Sequence, residues 1–120
     1  IFHLEKEAQE VLILISLNIK NMIMGVQELS RGSTSYSLVS PKEIFKTALL
    51  HNAEGIIMVH NHPSGDNTPS KPDIEVTKRI SQAGNLLAIP LLDHIIVSDT
   101  GFLSIKEAQP IPQLFRSDGI

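Results

Sequence analysis

Residues 56–59 restrict the fold of this chain more than any other feature of its sequence. Four large apolar residues follow Gly55 without interruption, which is typical of a strand buried on both faces of a sheet. Residues 60–70 contain Pro63, Pro69 and Gly65, so they predict a loop. Apolar residues then recur at helical spacing up to Gly84, which predicts a helix that ends near this glycine. The centre of the chain is therefore a strand, a loop and a helix in succession.

The segments on either side of this unit predict more strands and one more helix. Residues 10–17 and 22–29 are rich in apolar, β-branched side chains and flank the polar turn 18–21, which favours a β-hairpin. Ser40, Pro41 and Glu43 form a helix start and predict a helix over about residues 41–52. The remaining strand candidates are residues 89–97 and 102–105. This order of elements predicts an α/β fold, with a mixed sheet flanked by helices.

Length, cysteine content and charge limit the class of protein. A chain of 120 residues has room for one hydrophobic core. Because it begins at Ile1, we expect a single domain over residues 1–120 that forms the C-terminal part of a longer protein. It has no cysteine, which fits a reducing, cytoplasmic location and leaves only His, Asp or Glu as metal ligands. No apolar run approaches the roughly 18 residues of a membrane span.

The distribution of charge argues against direct nucleic-acid binding by this domain. Ten basic and thirteen acidic residues give a mildly acidic chain, and the basic residues are scattered along it. Nucleic-acid binding domains usually carry a basic patch or stripe. The oligomeric state has no signature in the sequence.

The loop after the central strand contains the candidate site. His60 and His62 are separated by two positions at the end of an extended strand, so both imidazoles point to the same side. Asp73 falls in the first turn of the following helix, where its carboxylate can reach the same point. Two histidines and one carboxylate leave a fourth position open, which is the pattern of catalytic rather than structural zinc.

Structural roles are the alternative for the same residues. Ser70 and Asp73 also read as a capping box at the start of a helix, and the two histidines could be hydrogen-bonded loop residues. His94 follows Asp93 inside an apolar strand. It is interpreted as a buried histidine bonded to Asp93 or to backbone, and a position behind the zinc ligands is the alternative.

The motif resembles that of a known family of metalloproteases. His-x-His followed by seven residues, then Ser, two residues and Asp, is similar to the JAMM or MPN+ motif. The sequence resembles the RadC family in particular at residues 60–65, at Pro69, Ser70 and Asp73, and downstream at residues 93–96. The resemblance covers about residues 10–104. It implies a cytidine-deaminase-like α/β/α layered fold, with Zn²⁺ bound by the residues that match His60, His62 and Asp73.

The resemblance also implies catalytic roles. A glutamate on an early strand acts on the zinc-bound water in such sites, and Glu10 is the best match, with Glu28 and Glu43 as alternatives. Ser70 matches the motif serine, which donates to the developing oxyanion or orients the water. The implied function is a zinc-dependent hydrolase of peptide or isopeptide bonds, in which the activated water attacks an amide carbonyl with Glu10 as general base.

A non-catalytic function is the second hypothesis. The zinc would then be retained for structure, while the surface recruits a DNA-repair or replication partner, as the name of the RadC family implies. Relatives in this family resemble proteins with an upstream helix-hairpin-helix segment, which is not part of this sequence.

Overall fold

The computed structural model describes residues 4–32 and 40–108 of the chain. It contains a five-stranded sheet in the order β2-β1-β3-β4-β5. Along the chain, the elements are a short 3-10 helix (Leu4–Lys6), β1 (Val11–Leu17), β2 (Ile23–Arg31), α1 (Pro41–Leu50), β3 (Gly55–Asn61), α2 (Lys71–Leu87), β4 (Leu91–Ser98), β5 (Gly101–Ser104) and α3 (Ile105–Ala108). The predicted hairpin, both long helices and the predicted strands are confirmed, and with them the α/β class.

The sheet is mixed because only one of its strand pairs is parallel. β1 pairs antiparallel with both β2 and β3, and β4 pairs antiparallel with β5. β3 and β4 run parallel, since α2 returns the chain to the starting edge between them. β3 is therefore a central strand, and its side chains are buried or nearly buried on both faces, as the apolar run predicts.

Each face of the sheet has its own core. Leu12 and Leu14 of β1 pack with Met58 of β3 in the larger core, which also contains side chains from the three α-helices. Val11 and Ile13 face the other way and pack against Leu4 of the 3-10 helix. Among the described residues, the long helices thus lie on one face and the 3-10 helix on the other. No described helix has the length and apolar character needed to cross a bilayer.

Helix α2 continues past Gly84, contrary to the expected end near this residue. The helix ends at Leu87, with Ala88 in the left-handed conformation at φ 61°. A Cβ atom on Gly84 would lie 2.5 Å from the carbonyl oxygen of Ile89. Glycine is therefore needed here for close packing of the helix against the chain entering β4, and not for helix termination.

Candidate metal centre

The end of β3 directs His60 toward the helical face of the sheet. Side chains alternate along a strand, so His60 shares its face with Ile56 and Met58 of the larger core. His62 lies just beyond the strand, and its backbone N–H donates to the carbonyl of Val97 at 2.9 Å. This bond extends the pairing with β4 and brings His62 back to the side of His60, as the spacing of the two histidines predicts.

The loop after His62 fixes the orientation of its ring. The Nδ1 atom of His62 lies 2.8 Å from the carbonyl oxygen of Asp66. A carbonyl only accepts, so Nδ1 donates, and in the neutral ring Nε2 is the unprotonated nitrogen. Gly65 makes the turn at φ +90°, and its carbonyl accepts hydroxyl protons from Ser98 and Thr100. The loop is thereby tied to the end of β4.

The first turn of α2 brings Asp73 to the two histidines. Ser70 caps the helix: its hydroxyl oxygen accepts from the Asp73 N–H at 3.2 Å, and its own N–H donates to Asp73 Oδ2 at 2.6 Å. The capping box considered as the structural alternative is therefore present. It is compatible with a ligand role, because it orients the carboxylate while leaving Oδ1 without a hydrogen-bond partner.

The ligand atoms of the three side chains lie close enough together to share one metal ion. His60 Nε2 lies 3.1 Å from His62 Nε2 and 3.2 Å from Asp73 Oδ1, and His62 Nε2 lies 3.2 Å from Asp73 Oδ2. Zinc bonds to nitrogen and oxygen of about 2.0–2.1 Å place tetrahedral ligand atoms roughly 3.3 Å apart, close to the distances of His60 Nε2 from His62 Nε2 and from Asp73 Oδ1, whereas His62 approaches the other carboxylate oxygen. Together with the buried, unpartnered Oδ1, these distances show that His60, His62 and Asp73 could hold a metal ion.

Burial shifts the pKa values of His60 and Asp73 in the cluster. His60 and Asp73 are each 1% exposed, whereas the side chain of His62 is 16% exposed. Burial lowers the pKa of His60 well below its ordinary value, and His94 and His62 lower it further. Burial also raises the pKa of Asp73 to about 6; the Ser70 N–H opposes this shift and the charge of Glu10 adds to it. Without a metal, burial thus makes ionisation of this carboxyl less favourable than in water, and a bound cation would shift its pKa the other way.

His94 lies behind the cluster and contacts its first histidine. Its Nε2 atom is 2.8 Å from His60 Nδ1, and its Nδ1 atom is 2.6 Å from the hydroxyl oxygen of Thr77. The ring is fully buried, and burial lowers the pKa of His94 to about 3. The burial agrees with the sequence interpretation of a buried histidine, and Asp93 accepts from the backbone N–H of His94. The alternative, a position behind the ligands, is also observed.

Thr77 is the residue of this region that sequence reasoning missed. It is completely buried, one turn after Asp73 on α2, and its hydroxyl donates to the Asp73 carbonyl at 2.7 Å. The four-residue spacing from Asp73 was the available signal, because it puts both side chains on the same face of the helix.

Glu10 lies at the entrance to β1, next to the cluster. The antiparallel register ends with the pairing of Leu12 and His60, and Glu10 precedes Leu12 by two residues. The effect of Glu10 on the pKa of Asp73 also reflects the proximity of the two carboxyl groups. Of the alternatives, Glu28 pairs with Arg31 at 2.8 Å, and Glu43 lies in the first turn of α1.

The fold and the cluster define an α/β domain with a candidate metal centre of two histidines and one carboxylate. The chain belongs to the RadC family: the model of the RadC-like JAB domain matches residues 1–110. This confirms the resemblance seen in the sequence motif.

Several curated bacterial proteins are similar to this chain at 50% identity. A UPF0758 protein of Clostridium beijerinckii matches over 99 residues, which are 82% of this chain and 43% of that protein. A UPF0758 protein of Caldanaerobacter subterraneus matches over 105 residues, 88% of this chain and 44% of that protein. A UPF0758 protein of Desulfitobacterium hafniense matches over 93 residues, 78% of this chain and 41% of that protein. The chain thus spans less than half the length of these relatives.

Proposed function

We propose that this domain is a zinc-dependent hydrolase of peptide or isopeptide bonds. The observation that carries the proposal is the convergence of His60, His62 and Asp73, three side chains that could hold one metal ion and leave a fourth coordination position for water. Three protein ligands with an open position are typical of catalytic zinc sites. Zinc bound there would polarise a carbonyl oxygen and lower the pKa of a coordinated water to about 7.

Glu10 is the proposed general base. Its position two residues before Leu12, which pairs with His60, and the effect of its charge on Asp73 support this role. Its carboxylate would accept a proton from the attacking water and return it to the leaving amine. The backbone of Glu10 is held in place, because its carbonyl accepts from the Gly32 N–H at 2.9 Å.

Ser70 is the proposed donor to the oxyanion. The capping bond uses a lone pair of its hydroxyl oxygen and leaves the hydroxyl proton available. A serine at this position can therefore cap α2 and donate a hydrogen bond to substrate at the same time. Both roles depend on the same helix start that orients Asp73.

The metal content of purified protein tests the ligand set. We expect close to one zinc per chain in the wild type, loss of zinc in His60→Ala, and retention of zinc in Glu10→Gln, because Glu10 is proposed to act on water rather than on the metal. Wild-type protein without zinc, or zinc unaffected by His60→Ala, would refute the proposal.

Hydrolysis of a panel of peptides and isopeptide-linked peptides tests the chemistry. Loss of a general base lowers the rate by about 10²–10⁴-fold, so Glu10→Gln should be that much slower with its zinc retained. Glu28→Gln is the matched control, because both oxygens of Glu28 are hydrogen-bonded by Arg31. Equal rates for Glu10→Gln and wild type would exclude Glu10 as the base. A zinc-loaded protein that cleaves no member of the panel would favour the alternative of a non-catalytic module that recruits a partner.

A further inference from the structure

A chain of buried hydrogen bonds runs behind the candidate metal centre. It starts at the carbonyl of Asp73, which accepts from the hydroxyl of Thr77 at 2.7 Å. It continues from the Thr77 oxygen to His94 Nδ1 at 2.6 Å, and from His94 Nε2 to His60 Nδ1 at 2.8 Å. Thr77, His94 and His60 are all at most 1% exposed, so water does not compete for these bonds.

The Asp73 carbonyl at one end fixes which atom donates and which accepts in each of these hydrogen bonds. A threonine hydroxyl has one proton, and Thr77 donates it to the Asp73 carbonyl, which can only accept. The Thr77 oxygen must then accept from His94 Nδ1–H. In the neutral His94 ring Nε2 is the acceptor, so the proton between the two histidines belongs to His60 Nδ1. The Nε2 atom of neutral His60 is then unprotonated, and its lone pair faces His62 and Asp73.

Hydrogen bonds in the opposite direction would prevent His60 from binding a metal. If the Thr77 proton pointed to His94 Nδ1, each bond would reverse and His60 Nε2 would carry a hydrogen directed into the cluster. A protonated nitrogen cannot bind a metal, so the tautomer of His60 decides whether the ligand set is complete. His62 reaches the same ligand tautomer by a separate route, through the Asp66 carbonyl.

We propose that Thr77 and His94 are positioning residues that hold His60 in the tautomer with an unprotonated Nε2. Helix α2 thus contributes to the site twice, through the carboxylate of Asp73 and, one turn later, through the hydroxyl that orders the histidine pair. The role of this pair rests on the proposed zinc function, but the tautomers themselves can be measured without metal.

Zinc affinity of Thr77→Val and Thr77→Ser, measured by competition with a chromophoric chelator, tests the role of the hydroxyl. Valine keeps the shape of the buried side chain and removes the hydroxyl, whereas serine retains it. Loss of a group that orients a metal ligand typically lowers affinity by about 10–100-fold, so we expect a loss of that size in Thr77→Val and affinity within about threefold of wild type in Thr77→Ser. Equal affinities of Thr77→Val and wild type would overturn the proposal.

Nitrogen-15 NMR of the imidazole rings in zinc-free wild type provides a second test that does not depend on how the variants fold. We expect Nδ1 to be the protonated nitrogen of both His94 and His60; protonation at Nε2 of either ring would overturn the proposal. Wild-type protein that binds no zinc but has the expected tautomers would refute the proposed function alone. Normal zinc binding with the wrong tautomers would refute the positioning role alone.

Discussion

Replacing Asp73 with asparagine should stabilise the zinc-free protein while destroying its metal site. The side chain is 1% exposed, and its Oδ1 atom has no hydrogen-bond partner. Asparagine keeps one oxygen for the Ser70 N–H, which preserves the capping bond. Its amide nitrogen would replace the unpartnered oxygen and lie near His60 Nε2, which in the proposed tautomer is an acceptor.

The size of the effect follows from the pKa of Asp73. Burial raises this pKa from 3.8 to about 6, so the folded state binds the proton more tightly than the unfolded chain. The ionised carboxyl therefore lowers the free energy of unfolding as pH rises from about 4 through 6. About two pKa units correspond to roughly 3 kcal/mol at full ionisation. Because the asparagine amide must also be buried, we expect Asp73→Asn to gain about 1–3 kcal/mol at pH 8 and little at pH 4.

Urea denaturation with chelator at pH 8 and pH 4 measures this difference. Asp93→Asn is the matched control, because its carboxylate accepts bonds from the backbone N–H groups of His94 and Lys106 and from the Ser104 hydroxyl. Loss of these bonds should lower the free energy of unfolding by about 1–3 kcal/mol. The reasoning is refuted if Asp73→Asn is no more stable than wild type at pH 8, or if its gain is as large at pH 4. Added zinc should raise the melting temperature of wild type and Asp93→Asn but not of Asp73→Asn.

Three further predictions concern the surroundings of the site. Burial lowers the pKa of His94 to about 3, so protonation is unfavourable in the folded state, and the free energy of unfolding of zinc-free protein should fall as pH drops from 6.5 toward 3. Protonation of Asp73 over the same range should offset part of this decrease. Urea denaturation should therefore show a net fall in the free energy of unfolding that is smaller in His94→Gln than in wild type. Ser70→Ala should lower the free energy of unfolding by about 1 kcal/mol through loss of the helix cap, with Ser70→Asn close to wild type in thermal melts. Gly84→Ala should lower the free energy of unfolding by about 1–3 kcal/mol, because the added Cβ would meet the Ile89 carbonyl. An unchanged melting temperature would contradict the close packing.

The main elements of the fold were predictable because their signals are local. The apolar run of β3, the cap and proline that start α1, and the helical spacing within α2 each lie within a few residues of the element they specify. The short end elements were missed: the helices Leu4–Lys6 and Ile105–Ala108 are too brief to show a periodic pattern. Gly84 was misread as a terminator because the turn at Ala88, three residues after the expected end, brings the Ile89 carbonyl against Gly84.

The sequence by itself determined the candidate ligands, since His60, His62 and Asp73 lie within one strand–loop–helix segment whose geometry is set locally. Only the tertiary structure decided the environment of that site. The parallel pairing of β3 with β4 sets Met58 beside His94, and so brings His94 to His60 across 34 positions of sequence. Hydrogen bonds between distant residues leave no periodic trace in a sequence. The raised pKa of Asp73 depends on burial by the assembled core, which no local pattern specifies.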